Sequence, residues 1–300
     1  RQMCIRDSGM TVDRTFGPII AFGRGGTAVE VIRDQALGLP PLNATLAHSM
    51  VGRTQVGKLL RGYRGEPPAD LAGIAQAIVS LSQLVIDHPG IADIDINPLL
   101  ADAEGIIGVD ARVRIAASEA ARERLVICPY PQELEQTLSL RDGQKIFVRP
   151  LRPDDEPLVE RFVRELRPED ARSRFFVPLR GLSHPVAARL CQLDYDREMA
   201  LIAFPAGNAA DVWGIVRMHA DPDGERAEYA ITVASAIQGR GLGYLLMQQL
   251  LTLAKARGIR EVWGQVLADN HRMLKMCGEL GFAARMSPNE PQSVICALAP

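Results

Sequence analysis

The chain has 300 residues, enough for about two domains. A formal net charge of −2 offers no handle for nucleic acid or an anionic membrane as partner. The cysteines (Cys4, Cys128, Cys191, Cys277 and Cys296) are odd in number and form no Cys-x-x-Cys pair. That argues against a disulfide framework or a cysteine zinc site and suits a reducing cytoplasm. No apolar run approaches the ~20 residues of a transmembrane helix, and no signal peptide is visible.

Residues 1–8 have no periodicity and no initiating methionine. They resemble adapter-derived sequence and are set aside, so the chain reads as a fragment that begins inside a domain. Pro18–Phe22 predicts a short apolar strand ending in Gly23-Arg-Gly-Gly26, and residues 27–39 look extended around Val29–Ile32. Asn43 can cap a helix carrying Leu46, Met50, Val51, Val56, Leu59 and Leu60. Pro67 and Pro68 open another, with Leu71, Ile74, Ala75, Ile78, Ser82 and Val85 at helical spacing. Residues 91–100 and 106–115 predict two strands joined at Ala103-Glu-Gly105. Residues 117–143 change composition and read as a linker between a first domain at 9–116 and a second at 144–300.

The second domain opens with a strand over Lys145–Pro150. Helices are predicted at 154–166 and 185–192, then strands at 199–204, 212–219 and 226–233. A helix at 242–256 aligns Leu242, Leu245, Leu246, Leu250 and Leu253 on one stripe. A strand at 261–267, a helix at about 270–280 and strands near 282–286 and 292–298 complete the chain. The fold class is α/β (α+β).

The stretch from Ala227 to Gly243 carries the chemistry. Gln238, Gly241 and Gly243 fit Gln/Arg-x-x-Gly-x-Gly/Ala, between a strand and a helix. Glycines let the backbone approach a ligand, and the amides of Gly239, Arg240, Gly241, Gly243 and Tyr244 would converge at a helix start, a cradle for a pyrophosphate. A tight turn that binds nothing explains the hexapeptide equally well on its own. Upstream, period-two alternation puts Tyr229, Ile231 and Val233 on a core face and Glu228, Ala230 and Thr232 on a surface of small residues with one carboxylate. A lysine amine, with a pKa of ~10.4, arrives protonated, and a nearby carboxylate can take its proton. The bland alternative is a solvated strand glutamate. Asn270 begins a helix and can either cap it or hydrogen-bond a coenzyme arm. His48, His88, His184, His219 and His271 show no ligand spacing.

Together these residues resemble the GNAT acetyltransferase superfamily over 144–299. The resemblance implies a central mixed, splayed sheet flanked by helices. The pantetheine arm of acetyl-CoA would lie between the strands at 226–233 and 261–267, pairing with the backbone around Val233. Many members carry a tyrosine four residues before the glycine of a Gly-Phe motif; Gly281-Phe282 is present, but that position is Cys277. Arg149-Pro-Leu-Arg-Pro-Asp-Asp155, Arg174-Phe-Phe176, Asp194–Ala200 and Ala227-Glu-Tyr229 look like the bacterial protein lysine acetyltransferases. That likeness implies Glu228 as base and a lysine of another protein, such as an acyl-CoA synthetase, as acceptor. Phe16–Glu30 and Asp95-Ile-Asn-Pro-Leu99 resemble the ATP-grasp subunit of ADP-forming acyl-CoA synthetases. In that family the equivalents of Asn97 and Asp110 hold Mg²⁺ beside the nucleotide. Without the nucleotide-binding half, the resemblance implies a vestigial metal site, a partial ATP-grasp subdomain and no ATP turnover.

The leading expectation is thus an acetyl-CoA-dependent protein lysine acetyltransferase. The alternatives are the C-terminal part of an ADP-forming acyl-CoA synthetase with a regulatory acyl-CoA-binding module, and a non-catalytic acyl-CoA sensor.

Overall fold

The computed structural model describes residues 4–24, 34–62, 67–116, 125–288 and 290–300. The Val29–Ile32 core and the charged stretch at 118–124 fall outside these. The chain divides into two compact units, Arg1–Pro129 and Tyr130–Pro300.

The first unit holds strands β1 (Cys4–Asp13), β2 (Gly17–Arg24) and β3 (Gln35–Gly38), helices α1 (Ala44–Arg53), α2 (Gln55–Leu60) and α3 (Leu71–Asp87), then β4 (Ile91–Asp102), β5 (Gly105–Gly108) and β6 (Ala111–Ile115). Its sheet runs β3-β2-β1-β4-β5, with β6 also on β4. Residues 4–8, set aside on sequence, belong to β1. They pair with β2 and β4, because Met10 and its neighbours extend a strand that the first residues continue. The single helix expected from Asn43 is two. Thr54 breaks it, its hydroxyl accepting from the Gly57 amide while its backbone leaves the helical region. The next helix starts not at the prolines but at Leu71, where the Asp70 carboxylate accepts from Gly73 N at 2.8 Å. Its buried stripe, Ile74, Ala75, Ile78, Leu81 and Val85, packs on Met10, Ile20 and Phe22 of the sheet.

The second unit holds β7 (Gln136–Ser139), β8 (Lys145–Pro150), α4 (Glu156–Arg164), α5 (Pro168–Phe175), α6 (His184–Cys191), β9 (Glu198–Pro205), β10 (Gly214–Ala220), β11 (Arg226–Val233), α7 (Leu242–Ala256), β12 (Glu261–Leu267), α8 (His271–Glu279), β13 (Ala283–Met286) and β14 (Ser293–Leu298). The sheet order is β13-β14-β12-β11-β10-β9-β8-β7. The unit starts at Tyr130, ahead of the boundary read at 144. The supposed linker carries β7, which pairs along β8, and Leu140, which is buried. The sequence gives no periodic signal for α5, since its eight residues hold four charges and one buried side chain, Ala171.

One feature of the sheet positions the site. β11 pairs with β10 along its whole length, Gly214↔Val233 to Ala220↔Ala227. It pairs with parallel β12 only over Arg226↔Glu261, Ala227↔Val262 and Glu228↔Trp263. Beyond Glu228 the two strands part, while β12 stays paired with β14 to Leu267↔Ser293. The Tyr229 ring lies against Gly264, where a Cβ would come within 2.6 Å of it. Only glycine at that position leaves room for the ring.

Candidate acetyl-transfer site

The parting of β11 and β12 opens a trough of about 450 Å³. Its floor is the β12-facing edge of β11. The Ala234 amide donates to Trp213 O and the Asp221 amide to Arg226 O, so the even-numbered residues of β11 turn their backbone groups to β10. Ladder alternation then turns those of Tyr229, Ile231 and Val233 toward the gap. The structure also revises the faces expected for this strand. Tyr229 is buried, but Ile231 and Val233, assigned to the core, are half-exposed, because the splay takes away the neighbour that would cover them.

At one end the chain leaves β11 and turns into α7. Gly239 (φ 84°) and Gly241 (φ 88°) adopt left-handed backbone, and Gly241 is the N-cap of α7 without a side-chain cap bond. Orphan amides at the start of a four-turn helix, lining a trough, favour an anion. Val233, Gln238, Gly239, Gly241, Gly243, Tyr244 and Asn270 all line the trough. Arg240 does not. Its guanidinium pairs with Asp142 (Nε–Oδ2 3.0 Å) and lies 5.5 Å from the Trp213 ring centroid. Gln238 has a structural task as well: its carbonyl oxygen accepts from Arg272 and Arg167. Asn270 caps α8, its Oδ1 accepting from Met273 N at 3.1 Å.

At the other end lies Glu228, at the last pair before the strands part. It lines the trough, is exposed, and carries no hydrogen bond or ion pair among the described residues. Around it the sheet face is polar. Cross-strand pairing places Glu198, His219, Glu228 and Trp263 in one row. Glu198 is already engaged, 3.2 Å from His219 Nδ1 and 3.8 Å from Arg217. Asp170 of α5 is engaged too. Against the cost of burial, hydrogen bonds from Ser235, Gln238 and Arg167 hold its carboxyl below the usual range.

Four cationic trough residues carry no site signal in the sequence: Arg141, Arg174, Arg272 and Lys275, the last 3.9 Å from Glu279. Arg141, in the turn between β7 and β8, stands 5.8 Å from the Tyr244 ring centroid and 3.6 Å from where a Gly241 Cβ would be. In the sequence Arg141 lies in the stretch that reads as a linker, Arg174 falls within a family motif, and Arg272 and Lys275 carry no signal. Cys277 does not line the trough. It is buried, its sulfur 3.2 Å from the Tyr229 hydroxyl. A hydrogen bond from Cys296, and a second from Tyr229, favour its thiolate against the cost of burial. Buried outside the trough lining, Cys277 packs in the core, at the position where many family members carry a tyrosine.

In the first unit, Asn97 and Asp110 are neighbours: the Asn97 amide donates to Asp110 O at 3.1 Å. The Asp110 carboxylate lies 3.5 Å from Arg112, which offsets the charge a cation would require. Among the described residues no group of three or more His, Cys, Asp or Glu could hold a metal. Two side chains fall short of the octahedral oxygen set of Mg²⁺ unless nucleotide phosphates supply the rest.

Comparison with known proteins agrees with this geometry. The sequence profile of the Acetyltransferase (GNAT) family matches residues 163–282, and that of an ATP-grasp domain matches residues 8–115. The chain is 32% identical to acetyltransferase PA5475 of Pseudomonas aeruginosa over 163 residues, 54% of this chain and 87% of that protein. It is 41% identical over 105 residues to the ADP-forming acetate–CoA ligase I of Archaeoglobus fulgidus, 35% of this chain but only 15% of the ligase. Among solved structures, the GNAT domain of S. lividans PAT superposes with a TM-score of 0.53 at 28% identity, covering 57% of this chain and all of that domain. The chain therefore belongs to the GNAT acetyltransferase family, whose domains bind acetyl-CoA, and carries an ATP-grasp domain ahead of its acetyltransferase domain.

Proposed function

We propose that the protein moves an acetyl group from acetyl-CoA to the ε-amine of a lysine on another protein, with Glu228 as general base. The observation that carries this reading is the uncommitted Glu228 carboxylate at the far end of a trough whose near end is a helix-start cradle. In this reading the amides from Gly239 to Tyr244 receive the coenzyme pyrophosphate. The free backbone groups of Ile231 and Val233 pair with the pantetheine amides as an added strand would. The thioester then lies between the cradle and Glu228. Glu228 removes the ammonium proton directly or through a water, and the neutral amine attacks the thioester carbonyl. The carbon–sulfur bond breaks as the new carbon–nitrogen bond forms, and coenzyme A leaves as the thiolate, which takes up the second proton that the nitrogen sheds on becoming an amide. The resemblance of Arg149–Asp155, Arg174-Phe-Phe176, Asp194–Ala200 and Ala227-Glu-Tyr229 to bacterial protein lysine acetyltransferases supports a protein acceptor, with an acyl-CoA synthetase as first candidate. The test is incubation with labelled acetyl-CoA and such a synthetase, with the modified residue located by mass spectrometry. Label on a single lysine supports the reading; label only on small amines sinks it.

The ATP-grasp likeness favours a second reading, in which the whole protein is an ADP-forming acyl-CoA synthetase and the acetyltransferase domain regulates it. ADP-dependent ATP formation from acetyl-CoA and phosphate, with no acetyl transfer, would choose that reading. No step of the acetyl transfer proposed above passes through Asn97, Asp110 or a metal.

A further inference from the structure

Arg174 is a trough cation that neither the cradle nor an ion pair among the described residues explains. It stands on α5, lines the trough together with Glu228, and is half-buried. Among the described residues its guanidinium has no hydrogen bond or ion pair, only a cation–π contact at 5.0 Å with neighbouring Phe175. Among the described residues, the carboxylates around the trough are engaged, with one exception. Asp170 is held by Ser235 and Arg167, Asp269 by Arg172 at 2.9 Å, and Glu198 by Arg217 and His219. The exception, Glu228, interacts with Arg174 electrostatically but not as an ion pair. Burial, then the like charge of Arg217, lower the Arg174 pKa to about 10, while Glu228 opposes them. A guanidinium in such a place wants a carboxylate, and its planar fork receives one through two hydrogen bonds.

We propose that Arg174 selects the acceptor, receiving a carboxylate that lies beside the amine to be acylated, so that the preferred acceptor is a lysine flanked by Asp or Glu. This deepens the lysine acetyltransfer reading and rests on it. The position of Arg174 assigns the carboxylate to the acceptor rather than to the acyl group. The cradle lies at the Gly241 end, and Arg174 lies beside Glu228 at the opposite end, where the amine must arrive. The charge has a second effect. A cation near the acceptor ammonium disfavours its charged form, which eases proton removal but weakens binding of a lone lysine. An acidic neighbour on the acceptor restores binding and leaves the amine beside the base.

The experiment uses the full chain saturated with coenzyme A. Calorimetry measures binding of two peptides with a single lysine, identical except for Glu or Gln next to it. The parent should bind the Glu peptide about tenfold or more tightly than the Gln peptide, as a charge-assisted contact implies. Arg174→Gln should bring the ratio to about one, and Arg174→Lys should leave part of it. Glu228→Gln should keep the ratio while acetyl transfer is lost, so failure of the base assignment and failure of this inference are separate results. Equal binding of both peptides by the parent, no binding of either, or a ratio unchanged in Arg174→Gln would overturn the inference. So would faster transfer from succinyl-CoA than from acetyl-CoA that disappears in Arg174→Gln, which would place the carboxylate on the acyl group. Melting curves confirm that each variant is folded. If Arg174→Gln is not, the Lys variant carries the comparison.

Discussion

Glu228 and Gly241 mark the two ends of the trough, and one substitution tests each. Glu228→Gln keeps nearly the same volume on an exposed strand position, so the fold and acetyl-CoA affinity should stay as they are. The amide cannot take a proton at neutral pH, and a positioned base is typically worth ~10²–10⁴-fold in rate. Raising the pH should partly rescue the variant, since more acceptor amine is then already neutral. A pH–rate profile on one defined lysine decides it; identical curves for both proteins remove Glu228 from the mechanism. Gly241→Val acts differently. The Cβ would meet only the flexible stem of Arg141, at 3.6 Å, so crowding is not the issue. The issue is φ of 88°, which a β-branched residue adopts only at a cost of about 1–2 kcal/mol or more. The turn should relax away from that conformation, and acetyl-CoA affinity by calorimetry should fall about tenfold. Retained affinity would mean that the glycine turn does not form the cradle.

At the scale of elements, the sequence makes some things plain and hides others for physical reasons. The helix α7 is legible because five leucines fall on one stripe, and five of its apolar side chains, Leu242, Leu246, Met247, Leu250 and Ala254, are fully buried. Burying each leucine is worth roughly 1.5–3 kcal/mol. The backbone splay is not written in any residue of β11 alone; it depends on what faces Tyr229 across the gap, and Gly264 reads on sequence as an ordinary strand glycine. Nor did α5 show, because a short, charged helix packed by one alanine has no periodic stripe. The link from β8 to α4 rests on a buried pair. Arg149 donates to both carboxylate oxygens of Asp155 at 2.7 and 2.6 Å, and the Arg152 amide adds a third bond to Asp155. Both side chains are nearly sealed from solvent. Asp155→Ala would strand a buried guanidinium and one backbone amide, a loss of about 3–5 kcal/mol. The melting temperature of the variant should drop by roughly 10 °C. A drop of only a degree or two would show that Arg149 finds water or another partner.

For the whole molecule, the chain folds around two separate cores. Met10, Ile20, Phe22, Ile74 and Ile78 belong to one, and Leu151, Phe162, Ile202 and Phe204 belong to another. The acetyltransferase unit should therefore fold and bind acetyl-CoA without the first unit, provided the cut is made in the right place. Composition put that place at 144, because Pro129-Tyr-Pro131 and the charges before it look like a linker. The structure gives residues 130–143 several tasks within the second unit. Tyr130 donates to Glu135 at 2.7 Å and takes the Arg152 guanidinium on its ring at 4.6 Å. β7 covers the edge of β8, Asp142 holds Arg240, and Arg141 stands by Tyr244 at the cradle. A fragment of residues 130–300 should thus match the full chain in acetyl-CoA affinity within about twofold. A fragment of residues 144–300 exposes a sheet edge, which invites aggregation, and loses the cation beside the helix start. It should melt lower and bind acetyl-CoA more weakly, and its binding should be less sensitive to salt. If the two fragments prove equal in melting and affinity, residues 130–143 are a linker after all. If the longer fragment loses affinity relative to the full chain, the ATP-grasp domain contributes to the coenzyme site.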